Sequence, residues 1–358
     1  MSKKVVVGMS GGVDSAVCAY LLKEEGYEVI GLTLRVWESS DGEESRCCEI
    51  DDAKCIADHI GFPFHTFNCI SEFERNVTKP FVCDYIKGMT PNPCIECNRY
   101  VKWERMLYFA NIRQADFVAT GHYASVVKLD NGRYTVKKAL HVEKDQTYML
   151  YKLSQEQLSR TLMPLGKYSK DEVREIARKA GIIVADKPDS QEICFVPDGD
   201  YANYIVNNAS DLIPEEGNFV DEEGKILGKH KGIIHYTIGQ RKGLGIAFGV
   251  PMFVKEIRPE TNEVVLSEDK ALYNDEIFVN DLNFLSIEDI KPGEEIPAKV
   301  KIRYRHDGEN AILTRFNEDT LRIVFEKPVR AATAGQSAVF YDENDCVIGG
   351  GKIIRKTW

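Results

Sequence analysis

One stretch near the start of the chain, Ser10-Gly11-Gly12-Val13-Asp14-Ser15, constrains it more than any other. It follows the β-branched run Val5–Gly8. It opens Val13–Glu25, where apolar residues recur at 13, 17, 20 and 21 before Gly26 supplies a stop. Glycines between a strand and a helix let backbone N–H groups approach a ligand closely. The first turn of the helix adds partial positive charge, which favours an anion. Two serine hydroxyls supply further donors. Asp14 would repel a bare phosphate, so its natural task is to hold Mg²⁺ on one. The stretch is not a Walker A loop, because no Lys-Ser/Thr follows the glycines. An ordinary strand–helix turn is the bland alternative, and the serines and Asp14 together weigh against it.

The first two hundred residues go on alternating strand and helix signals. Glu28–Val36 and Phe64–Cys69 read as strands, Asp51–His59 as a helix, and Phe117–Thr120 as a short strand ending at Gly121. A long helix is expected over Tyr100–Ile112. Ser154–Gln157 and Ser169–Glu172 have capping-box spacing, and Gly181 is placed to stop the second of these helices. A hairpin is expected across Val126–Ala139, turning on Asp130-Asn131-Gly132. This alternation predicts an α/β unit, a mostly parallel sheet with helices on both faces. After about residue 205 the signals become short and β-rich. The expected division is 1–205 for the α/β unit, 206–271 for a small β-containing middle unit and 272–358 for a C-terminal β-barrel, with a sandwich as the alternative.

Composition narrows the function classes. Of 358 residues, 43% are hydrophobic and 28% charged, which supports packed cores and excludes wholesale disorder. A net charge of −10 excludes a non-specific nucleic-acid coat, which needs excess Lys and Arg. RNA would have to be met by local patches. Lys299, Lys301, Arg303 and Arg305 alternate with apolar residues, as a strand with one basic face would; a solvated strand face is the alternative. The opening apolar run is too short for a signal peptide, and no segment approaches the roughly 18 apolar residues of a membrane span. A cytoplasmic protein without a membrane partner is expected. In that setting ten cysteines point to buried thiols, metal ligands or reactive thiols rather than to a disulfide scaffold.

Two cysteine motifs stand out. Thr90–Asn98 carries two prolines and the pair Cys94 and Cys97, just ahead of the helix expected at 100–112. A thiol near a helix start tends toward the thiolate. Asp189–Phe195 places Cys194 between polar and apolar flanks. Taken alone, these cysteines could be buried thiols, half of a zinc site or a redox pair. Cys47, Cys48 and Cys55 lack the spacing for the other half of a zinc site and read as exposed-loop or buried thiols. His235 and Tyr236 read as packing or RNA-touching residues.

The Ser-Gly-Gly-x-Asp-Ser loop resembles that of the N-type ATP pyrophosphatases, which split ATP into AMP and pyrophosphate. With the cysteine motifs added, the chain resembles the tRNA-specific 2-thiouridylases over essentially its whole length. The motifs fall in order as Gly8–Ser15, Gly31–Leu34, Asn92–Asn98, Ala119–Ala124, Lys144–Tyr148, Asp189–Phe195, His235–Leu244 and Lys301–Arg305. The resemblance implies 2-thiolation of the wobble uridine of tRNA, with ATP and Mg²⁺. Cys97 would be the nucleophile and Cys194 the persulfide carrier. ATP would meet Gly8, Met9, Ser10, Gly11, Gly12, Val13, Asp14 and Ser15, with Leu34 and Gly121 beside the adenosine. The target base would meet Asn92, Pro93 and Cys94. Other tRNA contacts would come from His122, Lys144, Asp145, Gln146, Arg303, Tyr304 and Gln336, with the middle and C-terminal units both contributing. The implied partners are tRNAs for Lys, Glu and Gln, and a cysteine desulfurase or sulfur-relay protein. A monomer is expected.

One departure stands out. Many members of that family carry Asn-Pro-Asp, the Asp serving as general acid or base, where this chain has Cys94. A thiol with a pKa of about 8.5 shuttles protons poorly near neutrality. The change also puts Cys94, Cys97 and Cys194 near one site. Three thiolates could hold a 4Fe–4S iron–sulfur cluster with one open iron, the alternative sulfur carrier. Two rival functions remain at this level: a small-molecule synthetase or amidating enzyme using the same loop, and a cysteine-bound metal module that recognises RNA without ATP turnover.

Overall fold

The computed structural model describes residues 2–37, 50–188, 193–209, 212–213, 215–246 and 249–356. Cys47, Cys48 and residues 189–192 of the Cys194 motif lie outside these.

Val5, Val6 and Val7 show why the chain builds around its first strand. All three are fully buried, and alternate members enter different cores. Val6 packs with Phe73, Phe81 and Trp103, whereas Val5 and Val7 pack with Ala16, Ile56 and Val173. A strand apolar on both faces must be covered on both sides. The α/β unit holds strands β1 (Lys4–Gly8), β2 (Glu28–Arg35), β3 (Phe64–Asn68), β4 (Phe117–Ala119), β5 (Ala124–Lys128), β6 (Tyr134–Lys138) and β7 (Thr161–Leu162). Its helices are α1 (Val13–Glu24), α2 (Ile50–Ile60), α3 (Ile70–Phe73), α4 (Lys79–Ile86), α5 (Pro93–Cys97), α6 (Trp103–Ile112), α7 (Gln155–Ser159), α8 (Lys170–Lys179) and α9 (Tyr201–Ala209). The sheet runs β3-β2-β1-β4-β7, parallel throughout. Strand order reverses on either side of β1, so the loop after β1 opens at the topological switch point, where ligands bind in open α/β sheets. Both capping boxes form, and β5–β6 is the expected hairpin.

Two expectations need correction. The helix placed at 100–112 starts earlier: Asn92 caps α5, its Oδ1 accepting from the Cys94 N–H at 3.2 Å, and α5 runs through a π-turn at Asn98–Lys102 into α6. Cys94 therefore sits in the first turn and Cys97 one turn deeper, so the helix-start argument applies to Cys94 and not to Cys97. The helical run from α3 through a π-turn at Glu74–Thr78 to α4 is absent from the sequence reading. Apolar residues at 70, 73, 77, 81 and 85 carried its signal, but Pro80 reads as a breaker. In the structure Pro80 occupies the first turn of α4, where a missing N–H costs little.

The middle sheet comprises β8 (Gly217–Val220), β9 (Ile226–His230), β10 (Phe253–Arg258) and β11 (Glu263–Ser267), ordered β10-β11-β8-β9 around Phe219, Ile233 and Tyr236. The last six strands are β12 (Tyr273–Phe284), β13 (Glu295–Lys301), β14 (Glu309–Arg315), β15 (Leu321–Arg330), β16 (Ser337–Tyr341) and β17 (Val347–Ile354). They close as an antiparallel barrel, β12-β15-β14-β13-β16-β17, so the sandwich alternative falls. The strand expected to present Lys299, Lys301, Arg303 and Arg305 on one face ends at Lys301; Arg303, Tyr304 and Arg305 lie in the exposed turn after it.

Side-chain bonds fasten the barrel to the α/β unit. Arg133 at the hairpin turn donates to the carbonyls of Phe284 and Leu285, each at 2.9 Å. Buried Thr135 donates to the Val347 carbonyl at 2.6 Å. Arg355 reaches the Lys87 and Gly88 carbonyls at 2.7 and 2.9 Å. Among the described residues, no helix is long and apolar enough to cross a membrane.

Candidate active site

The loop after β1 is tied down by its own serines. Ser15 Oγ accepts from the Ser10 N–H at 3.1 Å and donates to the Gly12 carbonyl at 3.0 Å. Thr33, fully buried on β2, donates to the Met9 carbonyl at 2.8 Å. Gly11 adopts φ 71°, the left-handed region that favours glycine. Gly12 occupies the N-cap of α1 without a side-chain cap, leaving first-turn N–H groups for a ligand. Gly121 packs directly on this turn: a Cβ there would lie 2.7 Å from the carbonyl carbon and oxygen of Asp14. Leu34, the penultimate residue of β2, lies near the same end of the sheet and is buried.

Asp14 has partners that sequence reading missed. Lys170, first residue of α8, donates to both its oxygens at 2.7 and 2.8 Å, and the Tyr123 hydroxyl donates to Oδ1 at 2.8 Å. In this arrangement the Asp14 carboxylate is held by the Lys170 ammonium and the Tyr123 hydroxyl, so the expected hold on magnesium would require Asp14 to exchange the lysine. Magnesium would enter with ATP as part of the substrate.

The two key cysteines flank one feature, the π-turn at Glu74–Thr78. α5, which carries Cys97, packs on that turn. Phe195, next to Cys194, stacks edge-on against Phe73 and Phe81 on either side of it, at 5.6 and 5.2 Å. Both cysteines join the same apolar cluster, Cys97 buried and Cys194 half-buried, while Cys94 is exposed. Asn98 follows Cys97 and is buried. Its Nδ2 donates to the Met149 carbonyl at 2.9 Å, and its Oδ1 has no hydrogen-bond partner. No three His, Cys, Asp or Glu side chains among the described residues converge as metal ligands. The iron–sulfur alternative through Cys94, Cys97 and Cys194 is therefore not supported.

Next to this site a cleft of about 300 Å³ opens between the α/β unit and the barrel, lined by Arg75, Asn92, Pro93, Tyr100, Ser337 and Lys352. Lys152, buried, donates to Glu96, which lies between Cys94 and Cys97 on α5, and to Asp281 of the barrel, at 2.7 and 2.5 Å; both carboxylates line the cleft. Gln336 donates to the Thr90 carbonyl at 2.8 Å, holding the start of the cysteine motif. Tyr304, exposed in the turn after β13, lies within electrostatic reach of Cys94 and carries Lys301 over its ring at 6.0 Å. Arg303 is exposed beside it, and Lys144 is partly exposed.

Three other residues read as tRNA contacts have partners within the protein. Asp145 is buried and accepts from Thr147 Oγ1 at 2.7 Å and from the Ala139 and Thr147 N–H groups. Burial raises its pKa. Gln146 accepts from the Tyr123 N–H at 2.9 Å. His122 packs near Trp103 and pairs with Thr120 Oγ1 at 2.8 Å; burial, then the Lys102 charge, pushes it down to about 3. A neutral imidazole cannot attract phosphate by charge.

Comparison with known proteins covers nearly the whole chain. Family models described as a tRNA methyl transferase HUP domain, a tRNA methyl transferase PRC-barrel domain and an aminomethyltransferase beta-barrel domain match residues 3–198, 209–268 and 274–353. A tRNA-specific 2-thiouridylase MnmA from Lachnoclostridium phytofermentans is 54% identical over 99% of this chain and 100% of its own. Another from Clostridioides difficile is 50% identical over 100% of this chain and 99% of its own. Among solved structures, a U34-tRNA thiolase from Methanococcus maripaludis is similar at 20% identity over 59% of this chain and 67% of that one, with a TM-score of 0.36.

Proposed function

The chain belongs to the tRNA-specific 2-thiouridylase family, and from that premise we propose how this tRNA sulfurtransferase makes 2-thiouridine. The O2 of the wobble uridine attacks the α-phosphorus of ATP held by the Gly8–Ser15 loop. The Pα–O bond to the leaving group breaks, and pyrophosphate departs. O2 is then an AMP ester, a far better leaving group than a carbonyl oxygen.

Sulfur arrives as a persulfide on Cys194. The Cys97 thiolate attacks the Cys194 sulfur, a Cys97–Cys194 disulfide forms, and hydrosulfide leaves with the bonding pair. Hydrosulfide adds to C2 and AMP leaves. The sulfane sulfur is reduced by two electrons and the two thiols are oxidised by two, so a thiol reductant must reset the enzyme. A direct attack of the terminal sulfur on C2, with Cys97 resolving the adduct, balances in the same way. Either route needs the cysteines to meet, within about 7 Å between Cα atoms for the disulfide.

The observation that carries this reading is that α5, which bears Cys97, packs on the Glu74–Thr78 π-turn while Phe195, next to Cys194, packs on Phe73 and Phe81 at either end of that turn, beside a cleft shared with the barrel. The remaining assignments stand with it: Asn92, Pro93 and Cys94 at the base, Arg303, Tyr304, Lys144 and Gln336 toward the tRNA, and a cysteine desulfurase or relay protein as donor. We place the reaction in the cytoplasm and the division of labour at 1–205, 206–271 and 272–358.

Nucleoside mass spectrometry on tRNA from reactions with Cys97→Ser and Cys194→Ser tests the reading. Both variants are expected to make no 2-thiouridine; undiminished product removes those residues from the mechanism. The rival small-molecule synthetase is separated by AMP release with and without unmodified tRNA. Release that ignores tRNA and follows a small acid would establish the rival.

A further inference from the structure

Asn98 is an odd residue for its place. It follows Cys97, opens the π-turn that joins α5 to α6, and is 2% exposed. Asparagine is a poor choice inside a helix. A leucine of the same shape would fill the position without burying an amide. One half of that amide is accounted for: Nδ2 donates to the Met149 carbonyl at 2.9 Å. The same bond fixes which way round the amide lies, because an Oδ1 there would face a carbonyl oxygen. Oδ1 is left on the other side, buried and without a hydrogen-bond partner among the described residues. Few buried acceptors stay unmet in native structures without a reason, and π-turns inside helices are frequent at functional sites.

The reaction brings a donor. Uracil joined to ribose carries one N–H group, at N3, between the carbonyls at C2 and C4. An acceptor can therefore read the hydrogen-bonding edge of the ring only through N3–H. N3 is bonded to C2, the atom that receives sulfur, so the group that holds N3–H must stand beside the thiol chemistry. Asn98 is the next residue after the nucleophile. Cys97 is itself only 6% exposed, so the base needs the same end of α5 to open before it meets either side chain. We propose that Asn98 Oδ1 accepts the N3–H hydrogen bond of the target uracil and so selects uridine at the wobble position. Cytidine would set its N3 lone pair against the same oxygen. The amide takes up no proton; it holds the ring with O2 and C2 in place. This rests on the adenylation reading above.

AMP release by the full chain tests it, on tRNA carrying either uridine or 3-deazauridine at the wobble position. 3-Deazauridine has C–H where uridine has N3–H and keeps O2. The wild-type chain is expected to lose about tenfold or more in kcat/KM on the deaza tRNA, the worth of one buried hydrogen bond left unmade. Asn98→Leu is expected to react slowly with both tRNAs and to show no preference between them. The coupling between the two changes separates a contact to the base from a merely structural role. Asn98→Asp keeps an oxygen acceptor and is expected to keep the preference. Equal wild-type rates on the two tRNAs overturn the proposal. A folded Asn98→Leu that retains the full preference also overturns it, because Oδ1 would then be satisfied otherwise, as by a buried water. Should Asn98→Leu fail to fold, Asn98→Asp decides, and loss of the preference in that variant overturns the proposal. A wild-type chain that releases no AMP with uridine tRNA refutes the adenylation reading instead.

Discussion

Gly121→Ala is the sharpest test of how the ATP loop is positioned. The added Cβ would sit 2.7 Å from the Asp14 carbonyl carbon and oxygen and 2.9 Å from the Ser15 nitrogen, where ordinary contact begins at 3.4 Å. The excess is about 0.7 Å against backbone atoms of the first turn of α1, which cannot rotate away as a side chain would. Either the 120–123 turn retreats or the turn of α1 that receives phosphate moves. Overpacking of this kind costs about 1–3 kcal/mol, and misplacing reacting groups by about 1 Å costs around a hundredfold. The expected result is a fall of roughly 30- to 100-fold in kcat/KM for tRNA-dependent AMP release, with a lowered Tm. Gly132→Ala at the hairpin turn is the control. Its φ is +83° with nothing within 4 Å of the added carbon, so it should lose about 1 kcal/mol of stability and keep full activity. A Gly121→Ala enzyme with wild-type kcat/KM and Tm would refute the reasoning.

Lys152→Met should destabilise the chain by roughly 2 kcal/mol in urea unfolding, below the range for a fully buried pair because Asp281 is half exposed; a smaller effect than about 0.5 kcal/mol would mean that the bridge to Glu96 and Asp281 contributes little. His122 has a folded pKa of about 3, below its unfolded value near 6.5. It therefore contributes stability above pH 6.5 that is lost as pH falls toward 3, at up to about 1.4 kcal/mol per unit. His122→Gln should flatten the decline in urea stability between pH 6.5 and 4.5, and identical slopes in both proteins would contradict the burial. Iodoacetamide mapping of the native protein should label exposed Cys94 well before buried Cys97; comparable labelling rates would place Cys97 at the surface.

The strand–loop–helix around Ser10–Ser15 was legible because every cue lies within twenty residues: a β-branched run, a glycine break and an apolar period. Both capping boxes were legible for the same reason. What escaped was non-local. Lys170 meets Asp14 across 156 positions of sequence, and Lys152 meets Asp281 across 129. No periodicity encodes either pair. Asp145 was assigned to tRNA only through the family resemblance, and nothing local in the sequence shows that Thr147 and two backbone amides satisfy it inside. The basic stripe failed differently: alternation of Lys and Arg with apolar residues persists through Arg305, but the backbone leaves the sheet at Lys301 and turns.

The way the Thr90–Cys97 segment is moored has a practical consequence. Gln336 and Ala334 bond Thr90, Asp281 reaches Glu96 through Lys152, and Arg355 grips the carbonyls of Lys87 and Gly88. All of these anchors belong to the last eighty residues or so, whereas the segment they hold belongs to the first hundred. The barrel is thus not a detachable handle for RNA. A chain shortened to its first 271 residues would keep the strands and helices of a nucleotide site but lose the wall against which its cysteine helix is braced. Such a fragment is a poor stand-in for the isolated adenylation half-reaction.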